Sequence, residues 1–140
     1  MSRRRMLVAG AGAALAIAAA AAAPALTRVD GAAPVLGRLE RGLWQLRALD
    51  GRSSPAPICL GDAEQLAQVR HLRSSCNRSL AAVRRDSVTL SYDCPGIGSG
   101  ETTIRVHTPR LARIETQGLD NGVPFALRAE ARRIGPCRRR

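Results

Sequence analysis

Four cysteines, at positions 59, 76, 94 and 137, carry the clearest chemistry in this chain. Thiol groups so placed form either a metal centre or disulfides. Zinc sites use closely spaced pairs such as C-x2-C. Here 16, 17 and 42 residues separate successive cysteines, and neither His71 nor His107 stands beside a pair. The spacing predicts two disulfides and no metal. His107 falls on the outward side of a predicted strand. It offers a general base or an acid-pH sensor, but no serine or cysteine nucleophile accompanies it in a recognisable motif. His71 falls near the C-terminal end of a predicted helix, where an imidazole meets the helix dipole favourably. Gly96-x-Gly98-x-Gly100 has the glycines of a phosphate loop. Such a loop needs a helix after it, and Glu101-Thr102-Thr103-Ile104 reads as strand, so a flexible hairpin loop is expected over "PGIGSG". The 11 acids are scattered singly. No catalytic residue and no cofactor is predicted.

The other candidate chemistry is cationic. All 22 basic residues are arginine, and the formal net charge is +11. Alternation places Arg105, Arg113, Arg128 and Arg132 on the outward face of three neighbouring strands, as a candidate anion-binding stripe. Glu101, Glu115 and Glu130 share that face, and cross-strand charge pairing is the plainer reading. The charge predicts attraction to anionic partners. Nucleic acid is not expected, because the chain holds only three aromatic residues, Trp44, Tyr92 and Phe125, and single-strand binders stack bases on aromatic rings. Arg138-Arg139-Arg140 reads as a solvated basic tail.

The N-terminus predicts the compartment. Arg3-Arg4-Arg5 precede an uncharged, alanine-rich run from Met6 to Thr27 that exits through Ala23-Pro24-Ala25. A positive head, an apolar middle and a small-x-small exit make a signal peptide over residues 1–25, cleaved after Ala25. A retained membrane anchor is the rival reading. Ser2-Arg3-Arg4-Arg5-Met6-Leu7 also resembles a twin-arginine export motif, and the general and twin-arginine routes both stay open. Cleavage leaves 19 arginines against 11 acids. A periplasmic or secreted protein follows, with membrane contact only through an uncleaved signal segment.

The elements that must position these residues are mostly strands. Residues 26–40 read as a flexible leader and 41–137 as one small domain. "GLWQLRAL" alternates, with Trp44, Leu46 and Ala48 on one side. "ICL" is a second short strand. Asp62 with Gln65 three residues on forms a capping box, opening a predicted short helix over 62–72. Strands follow in "RSLAAVRR", "SVTLSYDC", "ETTIRVHT", "RLARIETQG" and "PFALRAEARRI". Asp120-Asn121-Gly122 is a hairpin turn, Asn-Gly accepting the positive φ angles of type I′. The fold class is mostly β: an antiparallel curved sheet or half-barrel of about 6–7 strands, with one short helix on its apolar face. Trp44, Tyr92 and Phe125 are the expected core anchors.

These residues resemble the bacterial domain-of-unknown-function family 3617, small exported proteins of Gram-negative bacteria. The resemblance rests on "GLWQLR", "ICLGDAEQL" with Cys59, Cys76 at a strand start, "VTLSYDCPG" with Cys94, and "ARRIGPC" with Cys137. It implies an exported four-cysteine β domain and no activity. The Met- and Pro-rich segment that many relatives carry after the first strand is missing here.

Four cysteines allow three pairings. Counting outward from a turn at Arg85-Asp86 brings position 77 opposite 94. Cys76 and Cys94 then lie at the open end of one hairpin, a small register adjustment from bridging distance. Following strand directions puts Cys59 and Cys137 together at the other end if the helix is a return crossover. Cys76–Cys94 with Cys59–Cys137 is therefore favoured over Cys59–Cys76 with Cys94–Cys137. The expected function is a non-enzymatic envelope module. Its ligand would be a small hydrophobic molecule entering the concave apolar face, or an anionic envelope component on the arginines. A structural or protein-interaction module is the alternative, and an enzyme comes third.

Overall fold

The computed structural model describes residues 33–138. The predicted signal peptide, its cleavage site, most of the leader and the last two residues of the basic tail lie outside the described residues. Seven antiparallel strands form one curled half-barrel sheet. They are β1 (Gly42–Ala48), β2 (Ile58–Leu60), β3 (Asn77–Val83), β4 (Ser87–Cys94), β5 (Gly98–Thr108), β6 (Leu111–Asp120) and β7 (Val123–Gly135). Their order is β2-β1-β7-β6-β5-β4-β3. The hairpin strands β3 to β7 meander, and β1 and β2 add to the free edge of β7. One end of the barrel, here the lower, holds the β3–β4 and β5–β6 turns and the end of β7. The upper end holds the β4–β5 and β6–β7 turns.

Alternation carries the sheet as read. On the concave face lie Trp44 and Leu46 of β1, Val88 and Leu90 of β4, Ile104 and Val106 of β5, and Ala112 and Ile114 of β6, all buried. Charged side chains stand on the convex face. At the β6–β7 turn Asn121 has φ 50° and Gly122 φ 79°, the left-handed pair that a type I′ turn requires.

The concave face is not open. A 3₁₀ helix (Ala63–Gln68) crosses it from the lower end toward the upper, burying Leu66 and Ala67 on the sheet. The predicted helix over 62–72 is thus shorter and tighter. Its capping box forms as expected: Asp62 Oδ1 accepts from Glu64 N–H at 2.9 Å, and Gln65 Oε1 accepts from the Asp62 amide. Its six residues exceed the roughly three or four usual for 3₁₀ geometry, and burial of Leu66 and Ala67 on the sheet holds the run. Past them, the buried side-chain amide of Gln68 donates to the carbonyls of His71 (3.1 Å) and Ser74 (2.9 Å) and turns the chain toward β3.

Three expectations need correction. The flexible leader is structured in its last part: α1 (Ala33–Leu36) and the link to β1 put Val35, Leu36 and Leu39 into the core. Pro34 is no obstacle, because a first helical turn needs no amide there. "PGIGSG" is a tight turn rather than a flexible loop. Ile97 N–H donates to Cys94 O at 3.0 Å, and Gly98 and Gly100 already belong to β5. The β3–β4 register also shifts, because Ala81 is an extra, bulged residue between Leu80 and Ala82.

That bulge sets Asn77 opposite Asp93, so Cys76 comes opposite Cys94, and the two are bridged with Cα atoms 4.1 Å apart. Cys59 is bridged to Cys137, 5.4 Å apart, tying short β2 to the segment after β7. The two disulfides are compatible with an extracellular or periplasmic protein. Among the described residues no helix is long and apolar enough to cross a membrane.

Candidate functional site

The unusual chemistry sits at the upper end of the concave face. Register aligns Tyr92, Gly100, Gly118 and Phe125 in one row across β4 to β7. Gly98 and Asp120 form the next row above. The glycines leave a hollow between the two aromatic rings. A Cβ on Gly100 would meet Tyr92 Oη at 2.7 Å, and one on Gly118 would run into the backbone at Ser99.

His71 fills that hollow. Its ring makes edge-to-face contacts with Tyr92 (centroids 5.7 Å apart) and Phe125 (5.9 Å), and the residue is only 5% exposed. Of the motif's glycines, Gly98 lies against the imidazole, a Cβ there meeting Nε2 at 3.1 Å, and Gly100 lies against Tyr92, so the motif packs side chains rather than a phosphate. Nδ1 lies 3.2 Å from Tyr92 Oη, and Nε2 lies 3.5 Å from Asp120 Oδ1, too long for a well-formed hydrogen bond. Arg70 Nε donates to Asp120 Oδ2 at 2.8 Å, and its guanidinium stands 5.9 Å from the Phe125 ring centre.

Protonation states follow from these contacts. The hydrogen bond from Arg70 holds the Asp120 carboxyl below its ordinary 3.8, against the opposing effect of desolvation. Burial pushes the Tyr92 phenol above its ordinary 10.0. A carboxylate can only accept. The imidazole thus stands between the Tyr92 hydroxyl at Nδ1 and the Asp120 carboxylate facing Nε2. The nearby Thr116 hydroxyl opposes that rise in the Tyr92 phenol. Thr116 pairs with Thr102 at 2.7 Å, whose hydroxyl reaches the Ala67 carbonyl. Buried hydroxyls of β5 and β6 are thus tied to the 3₁₀ helix. Both imidazole nitrogens face protein groups, so the histidine is positioned rather than presented.

Beside this cluster a groove of about 640 Å³ opens between the β2 flank and the 69–74 turn. Its walls include Pro55, Ile58, Val69, Leu72 and Ile97, and Arg70 and Arg73 stand in it. A smaller hollow of about 380 Å³ shares Pro55, Val69 and Arg70 and extends to Phe125. An apolar wall with a few cationic groups suits a molecule with an apolar body and an anionic head.

The sequence candidates are distributed otherwise. Trp44 is a core anchor at 0% exposure, with Nε1–H donating to Glu40 O at 3.0 Å. Tyr92 is buried at the site, and Phe125 is only half-buried at its rim, because Gly118 and Pro124 beside it leave one side of the ring uncovered. Arg105 and Arg113 are cross-strand neighbours. Arg105 pairs with Asp86 at 2.8 Å and Arg132 with Glu130 at 3.5 Å. Arg113 and Arg128 make no ion pair among the described residues, though Glu130 and Glu115 stand opposite them in register. The stripe is interrupted by acids rather than continuous. His107 is the exposed extra residue of a bulge opposite β6. Among the described residues no cluster of three or more His, Cys, Asp or Glu side chains could hold a metal.

Sequence reasoning missed His71, Asp120 and Gln68 as site residues. Asp120 was findable: the inward positions Ala112, Ile114 and Thr116 continue by twos to Gly118 and Asp120. His71 carried no such signal, because an irregular turn places it. No family model matches the chain, and no curated protein or solved structure is significantly similar to it.

Proposed function

We propose that this chain is an exported, non-enzymatic binding module of the bacterial envelope, related to family 3617, that holds a small amphipathic molecule in the groove beside His71. The observation that carries the reading is the pairing of an apolar wall with Arg70 and Arg73 in one groove of ligand size. The filled interior moves the ligand from the concave face to this rim. Enclosure of both His71 nitrogens supports a binding role over catalysis, since a general base must reach the proton it takes. Arg73 is exposed and has no ion pair among the described residues, so it is the cation available to an incoming anion.

Native mass spectrometry on protein purified from its own envelope fraction, followed by thermal unfolding with added long-chain carboxylate, tests the reading. A retained small molecule is expected. At about 100 times its Kd, a ligand stabilises the fold by about 2.7 kcal/mol, and Arg73→Gln should reduce that gain. No retained mass and no thermal gain with any acyl carboxylate would reject the proposal. Export is tested separately by N-terminal sequencing, with Leu26 as the expected first residue.

A further inference from the structure

The two ends of the barrel differ in charge. At the upper end Arg70 is paired with Asp120 and Arg52 with Asp50, Arg73 stands without an ion pair among the described residues, and the turn tips are apolar: Ile97, Leu119 and Val123 are exposed there. The lower end gathers arginines from separate segments. Arg38 and Arg41 come from the link after α1, Arg84 and Arg85 from the β3–β4 turn, and Arg105, Arg110 and Arg133 from β5 to β7. They are close in space. Arg38 Nη1 donates to Arg85 O at 3.5 Å, Arg133 Nε donates to Arg41 O at 2.8 Å, and Glu40 N–H donates to Pro109 O at 2.9 Å.

The carboxylates at this end are already engaged. Glu40 lies between Arg110 (3.7 Å) and Arg133 (3.4 Å), and Asp86 pairs with Arg105. Asp62 accepts the helix cap bond. Arg38, Arg41, Arg84 and Arg85 remain, all exposed and without a carboxylate within 4.0 Å among the described residues. Four like charges on one small surface repel one another, and an anionic partner removes that cost.

We infer that the lower end is a docking surface for a lipid bilayer containing anionic phospholipid. Charge complementarity is the first reason. The second separates lipid from single-stranded nucleic acid. Tyr92 and Phe125 lie at the opposite end and Trp44 is buried, so no ring is offered for base stacking. Docked this way, the molecule holds its groove away from the bilayer, facing the surrounding compartment. The inference does not rest on the groove being a ligand site.

Vesicle co-sedimentation tests it, using the chain as purified from cells and vesicles of phosphatidylcholine with or without phosphatidylglycerol. The chain should prefer the anionic vesicles and lose that preference in high salt. Each basic residue near such a surface contributes about fivefold, so Arg38→Gln, Arg84→Gln and Arg85→Gln together should weaken binding about 100-fold. The control removes the same charge from the upper part of the molecule: Arg47→Gln, Arg52→Gln and Arg128→Gln, on or just after β1 and in β7 away from its lower end, should leave binding within about threefold. If the triple variant does not fold, Arg84→Gln alone, with an expected loss of about fivefold, carries the test. Equal losses in the two triple variants, no preference for the anionic vesicles, or binding to a duplex oligonucleotide that anionic vesicles cannot displace would each overturn the inference.

Discussion

Replacing Cys59 and Cys137 together by alanine probes how the edge of the sheet is held. The bridge closes a loop of 78 residues, whereas Cys76–Cys94 closes one of 18. Cross-link entropy scales with the logarithm of loop length, which gives about 4.5 kcal/mol for the long loop and about 3 kcal/mol for the short one. A domain of this size has a total stability of about 5–15 kcal/mol, so the long-loop variant should lose from about a third to nearly all of it. The loss should also be local. β2 pairs with β1 through only three register positions, Gly42–Leu60, Leu43–Cys59 and Trp44–Ile58. Without the covalent tie β2 should fray first, while β4 to β6, paired on both sides, keep their protection. Equilibrium urea unfolding measures the first effect and amide hydrogen exchange the second. Non-reducing peptide mapping beforehand should yield Cys59–Cys137 and Cys76–Cys94 peptides. The reasoning fails if losing the long-loop bridge costs less than losing the short one, or if protection at Ile58–Leu60 is unchanged.

Trp44→Ala should cost about 3–5 kcal/mol, read as loss of soluble protein or a collapsed urea midpoint; near-parental stability would contradict the burial of the indole. Gly98→Val places a side chain against His71 Nε2 and should displace the imidazole from between Tyr92 and Phe125, seen as loss of the His71 imidazole ring-current shifts in proton NMR; an unchanged histidine spectrum would contradict the seat. Two pH effects follow from the site. Asp120 has a lowered folded value, so its stabilising contribution is complete above 3.8 and declines as pH falls below it through that lower value. Tyr92 has a raised folded value, so its contribution is complete below 10.0 and declines as pH rises above it. Tyr92→Phe should remove the alkaline decline in thermal unfolding, and an identical decline in the variant would assign it elsewhere.

Much of this architecture was legible because a half-buried sheet writes its register into the chain by twos. Trp44–Leu46, Val88–Leu90–Tyr92 and Ile104–Val106 face inward for that reason, and Asn121-Gly122 marks its own turn. The lower and upper ends followed from strand direction, and Cys59 and Cys137 could be placed by it. What stayed hidden depends on irregular backbone. The Ala81 bulge moves Cys76 opposite Cys94, and no local property of Ala81 announces it. The turn that buries His71 is held by Gln68, a polar residue whose burial becomes visible only once its partners at His71, Ser74 and Arg78 are placed. Segment 33–39 lacks a clean period, yet Val35, Leu36 and Leu39 close the barrel, because a half-barrel rich in alanine leaves its lower mouth for large side chains from elsewhere.

The most direct test of a rim site over a filled barrel is amide chemical-shift mapping of the isotopically labelled chain during titration with a long-chain carboxylate. The account predicts shifts concentrated at Ile58, Val69, Leu72, Arg73 and Ile97, with Leu46, Leu90 and Ile114 of the interior unmoved. Shifts centred on those interior residues, or none at the groove at saturating carboxylate, would contradict it.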